Sequence, residues 1–408
     1  MFMKKRERTQ LALLASVALA ATLVGCGPKP SKTETALKKV ERKLHLKGDY
    51  RSIPWKRGAS KGAMRMALAS RGIPLAQYGF TASKDGKRYS GMLVGTSPFS
   101  KPLKGATINA IVVPVKVTIG STTFDPMAPD CRDANVSALT RFRQSPLTND
   151  VPNLTMNGVD IGSVQFINGL RRAEFWATIQ GSPAYQNELK YFYADSYELT
   201  AGMVGTNGIT DGGNCEQIGV LNFAWLDTLL QARVPQVLTS PGMTSPAVVL
   251  FLLRNIVECD KIPPSPTDSC ALGYHGAIGT SIQTYGVIDW DTSRTFTGVS
   301  DASVASHEIG EWMDDPLGTN PTPPWGGVGQ VGGQESDCQN NWEVGDPLSG
   351  TLMPVITMNG MTYEMQELGF FSWFFNRDTD PSLGTGGRFS SNGFFQGPAK
   401  PCPPGGTQ

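Results

Sequence analysis

The chain has 408 residues, of which 40% are hydrophobic and 17% are charged, so it can form the core of one large domain with or without a long extension. Its formal net charge of +1 hides an asymmetry, because residues 1–104 carry 22 Lys and Arg against 5 Asp and Glu, whereas residues 105–408 carry 14 against 30. A body with this excess of acidic groups would repel phosphates, and we therefore predict that nucleic acid is not a partner.

Residues 1–25 have the pattern of a bacterial lipoprotein signal peptide. Four basic residues near the start precede an apolar run at 11–24, which is too short for a comfortable membrane span. The run ends in Leu23-Val24-Gly25-Cys26, which resembles a lipobox. We therefore predict cleavage before Cys26, lipidation of Cys26 and export to the cell envelope, at the outer membrane in a Gram-negative host. The alternative is an ordinary secretory signal in which Cys26 is incidental.

Residues 26–104 are predicted to form the lipidated cysteine, a basic tether and an N-terminal extension. Residues 27–60 are polar and rich in Lys, with Pro28 and Pro30 near their start, as in a spacer. Residues 61–104 remain basic, so we place the start of the globular domain between 60 and 105 and assign that domain to 105–408. A basic segment beside a membrane suits anionic head groups or an acidic polymer, and the alternative is a solvated linker.

Export makes disulfides available to the remaining cysteines. Six cysteines allow 15 pairings, and the first choice is Cys259 with Cys270, which bracket a Pro-rich loop. A zinc site built from cysteines is not expected, because none of them forms a close CxxC pair.

The remaining pattern predicts strands, hairpins and helices in alternation. In chain order we expect a strand at 107–119, a hairpin at 154–166, a helix at 168–180, a strand at 218–223, a helix at 224–232, a strand at 284–289, a helix ending near Asp314 and a hairpin at 355–365. The apolar segment 246–259 fits a buried strand or a helix, and its Val and Leu content favours the strand. Asn-Gly pairs at 157–158 and 359–360 mark the hairpin turns. Pro114 suggests that the first strand is an edge strand or contains a bulge.

Residues 306–316, SHEIGEWMDDP, contain the pattern HExxE. On a helix, His307 and Glu311 share a face and would provide two ligands for Zn²⁺. Glu308 beside them would polarise a metal-bound water as the general base, as the Glu of HExxH does. Asp301 or Ser303 would cap the start of this helix, and Pro316 disfavours its continuation through Asp315. The alternative is a solvated helix face with a surface histidine.

Three segments together resemble the plant EXORDIUM or phosphate-induced protein family and its secreted bacterial relatives. They are Gly273-Tyr274-His275, the HExxE segment with its Asp-Pro end, and Trp342-Glu343-Val344-Gly345-Asp346. Two departures exist: Ala271-Leu272 is inserted after Cys270, and Cys338 precedes the last segment instead of following it. The resemblance covers roughly 105–380 and strengthens the site without naming a substrate.

The resemblance brings further residues to the candidate site. The third metal ligand is expected to be Glu343, with Asp346 as the next choice. His275 is either a further ligand or a catalytic donor to a developing oxyanion, and the alternative is a structural, hydrogen-bonded histidine. Asp315 is expected to support the ligands by hydrogen bonding or to end the helix.

A strand shortly before a metal-binding helix is the order found in zincin-type metallopeptidases. We therefore expect an α+β fold, with a single large zincin-like domain that combines a mixed β-sheet and an active-site helix. The expected function is that of a zinc-dependent, metallopeptidase-like hydrolase acting on a peptide or a cell-envelope polymer. The alternative is a non-catalytic cell-surface or cell-wall protein that retains the fold with Zn²⁺, with Ca²⁺ or without metal.

Overall fold

The computed structural model describes residues 47–54, 73–130, 133–202, 207–211, 217–239, 247–264, 268–279, 282–326, 339–375, 381–384 and 388–394. These residues form a mixed α+β structure in which strands dominate, so the predicted fold class is confirmed at this level. All of them lie within one compact unit, Glu41–Gln408. The predicted signal peptide, Cys26 and the first part of the tether lie outside the described residues. No helix in the described ranges is long and apolar enough to cross a membrane.

The secondary structure consists mainly of short strands. The strands are β1 Lys47–Ile53, β2 Leu75–Thr81, β3 Arg88–Val94, β4 Ala106–Ile119, β5 Thr122–Phe124, β6 Pro129–Asp130, β7 Asp133–Ser137, β8 Val151–Met156, β9 Val159–Val164, β10 Asn187–Tyr193, β11 Tyr197–Ala201, β12 Asn207–Asp211, β13 Gln217–Asn222, β14 Val248–Arg254, β15 Ile256–Cys259, β16 Ser269–Ile278, β17 Gln283–Trp290, β18 Pro321–Trp325, β19 Gln339–Asn341, β20 Ile356–Met358 and β21 Met361–Tyr363. The helices are α1 Ala138–Gln144, α2 Phe166–Glu174, α3 Trp176–Ile179, α4 Phe223–Leu238, α5 Ser303–Asp314 and α6 Phe371–Phe375, and Asp346–Leu348 is a 3₁₀ turn.

An 11-stranded mixed sheet organises the molecule, with the strand order β10-β4-β14-β17-β16-β15-β13-β12. Three further strands, β1, β5 and β11, attach to this path. The parallel pairs in the centre explain the apolar strands, because a strand covered on both faces must be hydrophobic throughout. The apolar segment 246–259 contains the two strands β14 and β15, so the predicted strand is confirmed over the helix. Every residue of β14 is buried.

Alternation along the central strands sends side chains to two separate cores. From β14, Leu250 and Leu252 enter one core, whereas Phe251 and Leu253 enter the other. The first core also contains apolar residues of α5, and the second contains those of α4. Full burial of each such side chain contributes about 1.5–3 kcal/mol. The helix that carries HExxE is therefore fixed to one face of the sheet by its apolar residues.

Pro114 lies in the interior of the sheet, and the predicted edge position is wrong. The strand β4 pairs with β14 on one side and with β10 and then β11 on the other. The register with β10 ends at Val112 and the register with β11 begins at Val115. Pro114 thus lies between the segments of β4 that pair with β10 and with β11, where no inter-strand hydrogen bond requires an N–H group.

Local turn chemistry predicts both hairpins correctly. Asn157 and Gly158 join β8 to β9 with φ of 48° and 76°, and Asn359 and Gly360 join β20 to β21 with φ of 52° and 74°. Positive φ at both central residues is the requirement of the type I′ turn, which Asn-Gly meets at low cost. The predicted helix at 168–180 is instead two helices, α2 and α3, separated at Phe175.

The predicted disulfide between Cys259 and Cys270 is present. The two residues are direct partners in the antiparallel pairing of β15 with β16. The other four cysteines, Cys131, Cys215, Cys338 and Cys402, lie outside the described residues.

Residues 47–54 and 73–104, assigned above to an N-terminal extension, contribute to the folded unit. The strand β1 joins the large sheet beside β16, and the hairpin of β2 and β3 places Tyr78 and Leu93 in the first core. The segment KGDYRSI of β1 has only two apolar residues in seven, so its place in the sheet depends on backbone pairing with β16 and not on hydrophobic patterning.

Candidate metal centre

The HExxE residues lie on α5, whose twelve residues are all buried. This burial excludes the alternative of a solvated helix face. The helix ends at Asp314 as predicted, but Ala302 occupies its N-cap without a side-chain hydrogen bond, so the predicted caps, Asp301 and Ser303, are wrong. On one face of the helix, the Nε2 atom of His307 lies 2.9 Å from Oε1 of Glu311.

Three separate parts of the chain converge on this face. The helix α5 provides His307, Glu308 and Glu311, the strand β16 provides His275, and the segment that follows β19 provides Glu343 and Asp346. All six side chains are buried, and the most exposed of them, Asp346, has an exposed fraction of only 5%. The sequence-predicted site residues are therefore brought together.

One group of potential ligands consists of His307, Glu311 and Asp346, whose ligand atoms lie within 4.8 Å of one another. The Oδ1 atom of Asp346 is 3.5 Å from Nε2 of His307. The backbone N–H groups of Gly345 and Asp346 donate to Oε1 of Glu311 at 3.1 and 3.2 Å. The turn at 345–346 thus holds the carboxylate of Glu311 beside the imidazole.

A second group consists of His275, Glu308 and Glu311, again within 4.8 Å. The Nδ1 atom of His275 is 3.2 Å from Oε2 of Glu308 and 3.8 Å from Oε2 of Glu311. On the other side of the ring, Nε2 of His275 is 3.2 Å from the backbone carbonyl oxygen of Asp315. Both ring nitrogens of His275 therefore have polar neighbours, in keeping with either a ligand or a hydrogen-bonded structural residue.

Glu343, expected as the third ligand, lies beside the second group without belonging to either group. Its Oε2 atom is 3.8 Å from Nε2 of His275, and its Oε1 atom accepts a hydrogen bond from Nδ2 of Asn341 at 2.7 Å. Asp346, the next choice, is the acidic residue that the structure groups with His307 and Glu311. The sequence could not show which of Glu343 and Asp346 is the third potential ligand, because the two acids are only three residues apart in the same segment.

Asp315 follows the last residue of α5, and its carboxylate bonds to the chain beyond the helix. The carboxylate accepts backbone N–H groups of Thr319 and Asn320 at 2.8 and 2.7 Å. These bonds compensate for the unfavourable place of a negative charge at the C-terminal end of a helix. Burial nevertheless raises the pKa of Asp315 to about 7. The contact of Asp315 with His275 is made by its backbone carbonyl.

The centre contains four buried carboxyl groups and two imidazoles. Among the described residues, the two histidines are the only ion-pair partners of Glu308, Glu311, Glu343 and Asp346. Burial raises the pKa of Glu308, Glu311 and Glu343, and no Lys or Arg in the described ranges pairs with them to oppose this rise. Burial also lowers the pKa of His275 to about 4, so this imidazole is neutral near pH 7.

Several buried polar atoms of the centre make no hydrogen bond. They are Oε1 of Glu308, Oε2 of Glu343, Oδ1 of Asp346 and both ring nitrogens of His307. The close contact of His307 with Glu311 is therefore not aligned as a hydrogen bond. Buried polar atoms without partners are costly unless something else satisfies them. A divalent cation fits this set, because its charge and its ligand bonds would satisfy the imidazole and the carboxylates together.

Tyr50 is a residue of the centre that the sequence did not indicate. Its ring stacks on the imidazole of His307, with ring centroids 3.6 Å apart and an interplanar angle of 10°. The pairing of Tyr50 with Gly273 in the β1–β16 register places it there. Its buried hydroxyl has no hydrogen-bond partner, and burial together with Glu308 raises its pKa. A tyrosine in a Lys-rich segment carries no sequence signal for this position.

We expect Tyr50→Ala to accelerate the extraction of bound metal by a chelator roughly tenfold, in the range found when residues that support metal ligands are removed. The loss of the ring would uncover His307 and leave its orientation less restricted. The measurement is the rate of metal release from metal-loaded protein. Tyr50→Phe, which keeps the ring, should release metal as slowly as the wild type. Equal rates for Tyr50→Ala and the wild type would show that the ring does not protect the centre.

No protein-family model matches this sequence, and neither a curated protein nor a solved structure shows significant similarity to it.

Proposed function

We propose that this centre binds a divalent metal, with Zn²⁺ as the first candidate, and that the protein is an exported, metal-dependent hydrolase of metallopeptidase type. The observation that carries the proposal is the convergence of His307, Glu311 and Asp346 in a buried site where polar atoms lack partners. We further propose a zincin-like arrangement of the sheet and α5, anchorage through a lipidated Cys26, and kinship with the EXORDIUM family.

When bound, Zn²⁺ would supply Lewis acidity to the substrate carbonyl and to an attacking water. The protein's own contribution would come from Glu308, which follows the first ligand on the helix. Its Oε1 atom is buried and makes no hydrogen bond, so it is available to take the proton of the water and to return it to the leaving amine. Burial raises the pKa of Glu308, and this makes its carboxylate a stronger base than an exposed glutamate.

The substrate class that we propose is a peptide or a cell-envelope polymer, in agreement with export. The net acidity of residues 105–408 does not favour a polyanionic substrate.

His275 lies next to Glu308, and its neutral imidazole is suited to donate a hydrogen bond or to bind metal.

Elemental analysis of the purified full-length protein should find bound zinc. The Glu308→Gln variant should still bind metal at His307, Glu311 and Asp346 but should lose peptide hydrolysis by at least about a hundredfold, the usual contribution of a general base. Glu198→Gln is the control, since Glu198 is an exposed residue paired with Lys116. Metal-free protein with the same melting temperature in the presence and absence of chelator would refute the proposed centre.

A non-catalytic envelope protein with a metal centre is the second candidate function. It is favoured by the enclosure of the site, because the six site residues are buried and Tyr50 covers His307. A substrate must reach the metal for turnover, whereas a metal that only stabilises the fold is normally closed off. Metal-loaded wild-type protein that cleaves neither a peptide library nor isolated envelope polymer, yet loses stability in chelator, would select this second function.

A further inference from the structure

We infer that the centre holds a pair of divalent metal ions bridged by Glu311. This inference rests on the proposed metal centre and goes beyond the single zinc ion that HExxE suggests. The two groups of potential ligands, His307 with Asp346 and His275 with Glu308, have Glu311 in common.

The two oxygens of the shared carboxylate face different histidines. The Oε1 atom of Glu311 lies 2.9 Å from Nε2 of His307, whereas its Oε2 atom lies 3.8 Å from Nδ1 of His275. Each oxygen therefore belongs to a different potential coordination shell. A carboxylate in this position joins two ions in the manner of two-metal hydrolytic sites, in which the ions lie about 3.5–4 Å apart.

The charge of the site also favours two ions. The four carboxyl groups of Glu308, Glu311, Glu343 and Asp346 carry four negative charges when ionised, and their only ion-pair partners in the described part of the chain are the two histidines. One divalent ion would balance half of this charge, and the remaining carboxylates would either stay charged in a buried site or bind protons. Two divalent ions balance all four carboxylates with both imidazoles neutral.

His275 is oriented as a metal ligand. Its Nε2 atom lies 3.2 Å from the carbonyl oxygen of Asp315, which can only accept a hydrogen bond. A neutral His275 with its proton on Nε2 would donate to this carbonyl, and the lone pair of Nδ1 would then point to Glu308 and Glu311. A backbone carbonyl that fixes the tautomer of an imidazole is the usual support of a metal-bound histidine.

Unpartnered atoms are present in both halves of the site. His307 and Oδ1 of Asp346 lack hydrogen bonds in the first half, and Oε1 of Glu308 and Oε2 of Glu343 lack them near the second. In this arrangement Glu308 holds the second ion through Oε2, which faces His275, and keeps Oε1 for proton transfer. The carboxylate-rich set with one imidazole per ion suits Zn²⁺ or Mn²⁺.

The inference is tested by loading the metal-free full-length protein with Zn²⁺ and measuring the bound zinc per chain by elemental analysis. We expect two ions in the wild type and one ion in either His275→Ala or Glu308→Gln, which affect only the second half. Glu258→Gln is the matched control and should keep two ions. Glu258 is a fully buried carboxyl residue outside both groups, and burial raises its pKa so that Gln imitates its neutral form.

A second measurement does not depend on the folding of any variant. Wild-type protein loaded with Mn²⁺ should show the electron paramagnetic resonance signal of two exchange-coupled ions. One bound ion per chain, or an uncoupled Mn²⁺ spectrum at saturation, would overturn the pair but leave the proposed hydrolase intact. Protein that binds no ion would overturn both, and two ions retained in both His275→Ala and Glu308→Gln would overturn the assignment of these ligands.

Discussion

Arg171→Met is expected to lower the free energy of unfolding by about 3–5 kcal/mol, the usual effect of removing one partner from a buried ion pair. The Nη1 atom of Arg171, on α2, lies 2.7 Å from Oδ1 of Asp314, the last residue of α5, and both side chains are almost completely buried. Arg171 also donates to the carbonyl oxygen of Met313 through Nη2. This arginine therefore fixes the end of α5 against α2.

The loss of Arg171 is costly because a second acid lies beside Asp314. Burial, and then the charge of Asp314, raise the pKa of Glu174 well above its usual value. Asp314 itself has a pKa raised by burial to about 6, although Arg171 opposes this rise. Without the guanidinium group, both carboxyl groups would have to bind protons or remain charged in an apolar environment.

The destabilisation should increase with pH. A carboxyl group whose pKa is higher in the folded than in the unfolded protein binds more protons when folded, so stability falls as pH rises from the unfolded to the folded pKa. For the wild type, Asp314 places this fall between about pH 4 and pH 6. In Arg171→Met the pKa of Asp314 in the folded protein should rise further, so the fall in stability should extend to higher pH. The variant should thus lose less stability at pH 5 than at pH 8.

Urea denaturation at the two pH values measures this difference. Arg143→Met, at an exposed residue whose guanidinium stacks on Tyr193, should change the free energy of unfolding by no more than about 1 kcal/mol at either pH. Addition of Asp314→Asn to Arg171→Met should restore part of the stability at pH 8 by removing the uncompensated charge. An equal loss of unfolding free energy at both pH values would contradict the role given to Arg171. A loss at pH 8 below about 1 kcal/mol, the effect of a typical point substitution, would contradict it too.

Gly345→Ala is expected to weaken metal binding by about 10–100-fold, as the loss of residues that orient ligands does. A Cβ atom at Gly345 would lie 2.4 Å from Nδ1 and 2.5 Å from Cε1 of His307. The imidazole has little room to move, because Tyr50 stacks on its ring and Glu311 lies 2.9 Å from Nε2. Either the ring or the turn that donates to Glu311 must shift.

The effect should be steric, since the backbone at Gly345 is helical with φ of −89° and ψ of −35°, a conformation that alanine adopts readily. Overpacking of this kind costs about 1–3 kcal/mol of stability in addition. Competition with a chelator of known affinity measures the binding. Gly202→Ala is the control, because a Cβ atom there meets no heavy atom within 4 Å. Unchanged affinity in Gly345→Ala would show that contact with this glycine does not hold His307 in place.

The local features of the chain were predictable because neighbours in sequence decide them. The HExxE spacing brings His307 and Glu311 to one face of a helix wherever that helix lies. Asn-Gly pairs predict the two hairpins, and the apolar β14 is recognisable as a buried strand. The disulfide between Cys259 and Cys270 was also predictable, because the two residues flank one short Pro-rich loop.

The sequence by itself thus determined the helix that carries HExxE, the acidic and histidine side chains of the candidate site and the α+β class. Only the tertiary structure decided which distant residues complete the centre, since these contacts depend on strand register and packing. The β1–β16 register brings Tyr50 onto His307, and the turn after β19 brings Asp346, in preference to Glu343, to the first group. The approach of β16 to α5 gives Glu311 a second histidine, because a carboxylate has two oxygens and each can face a different segment of the chain.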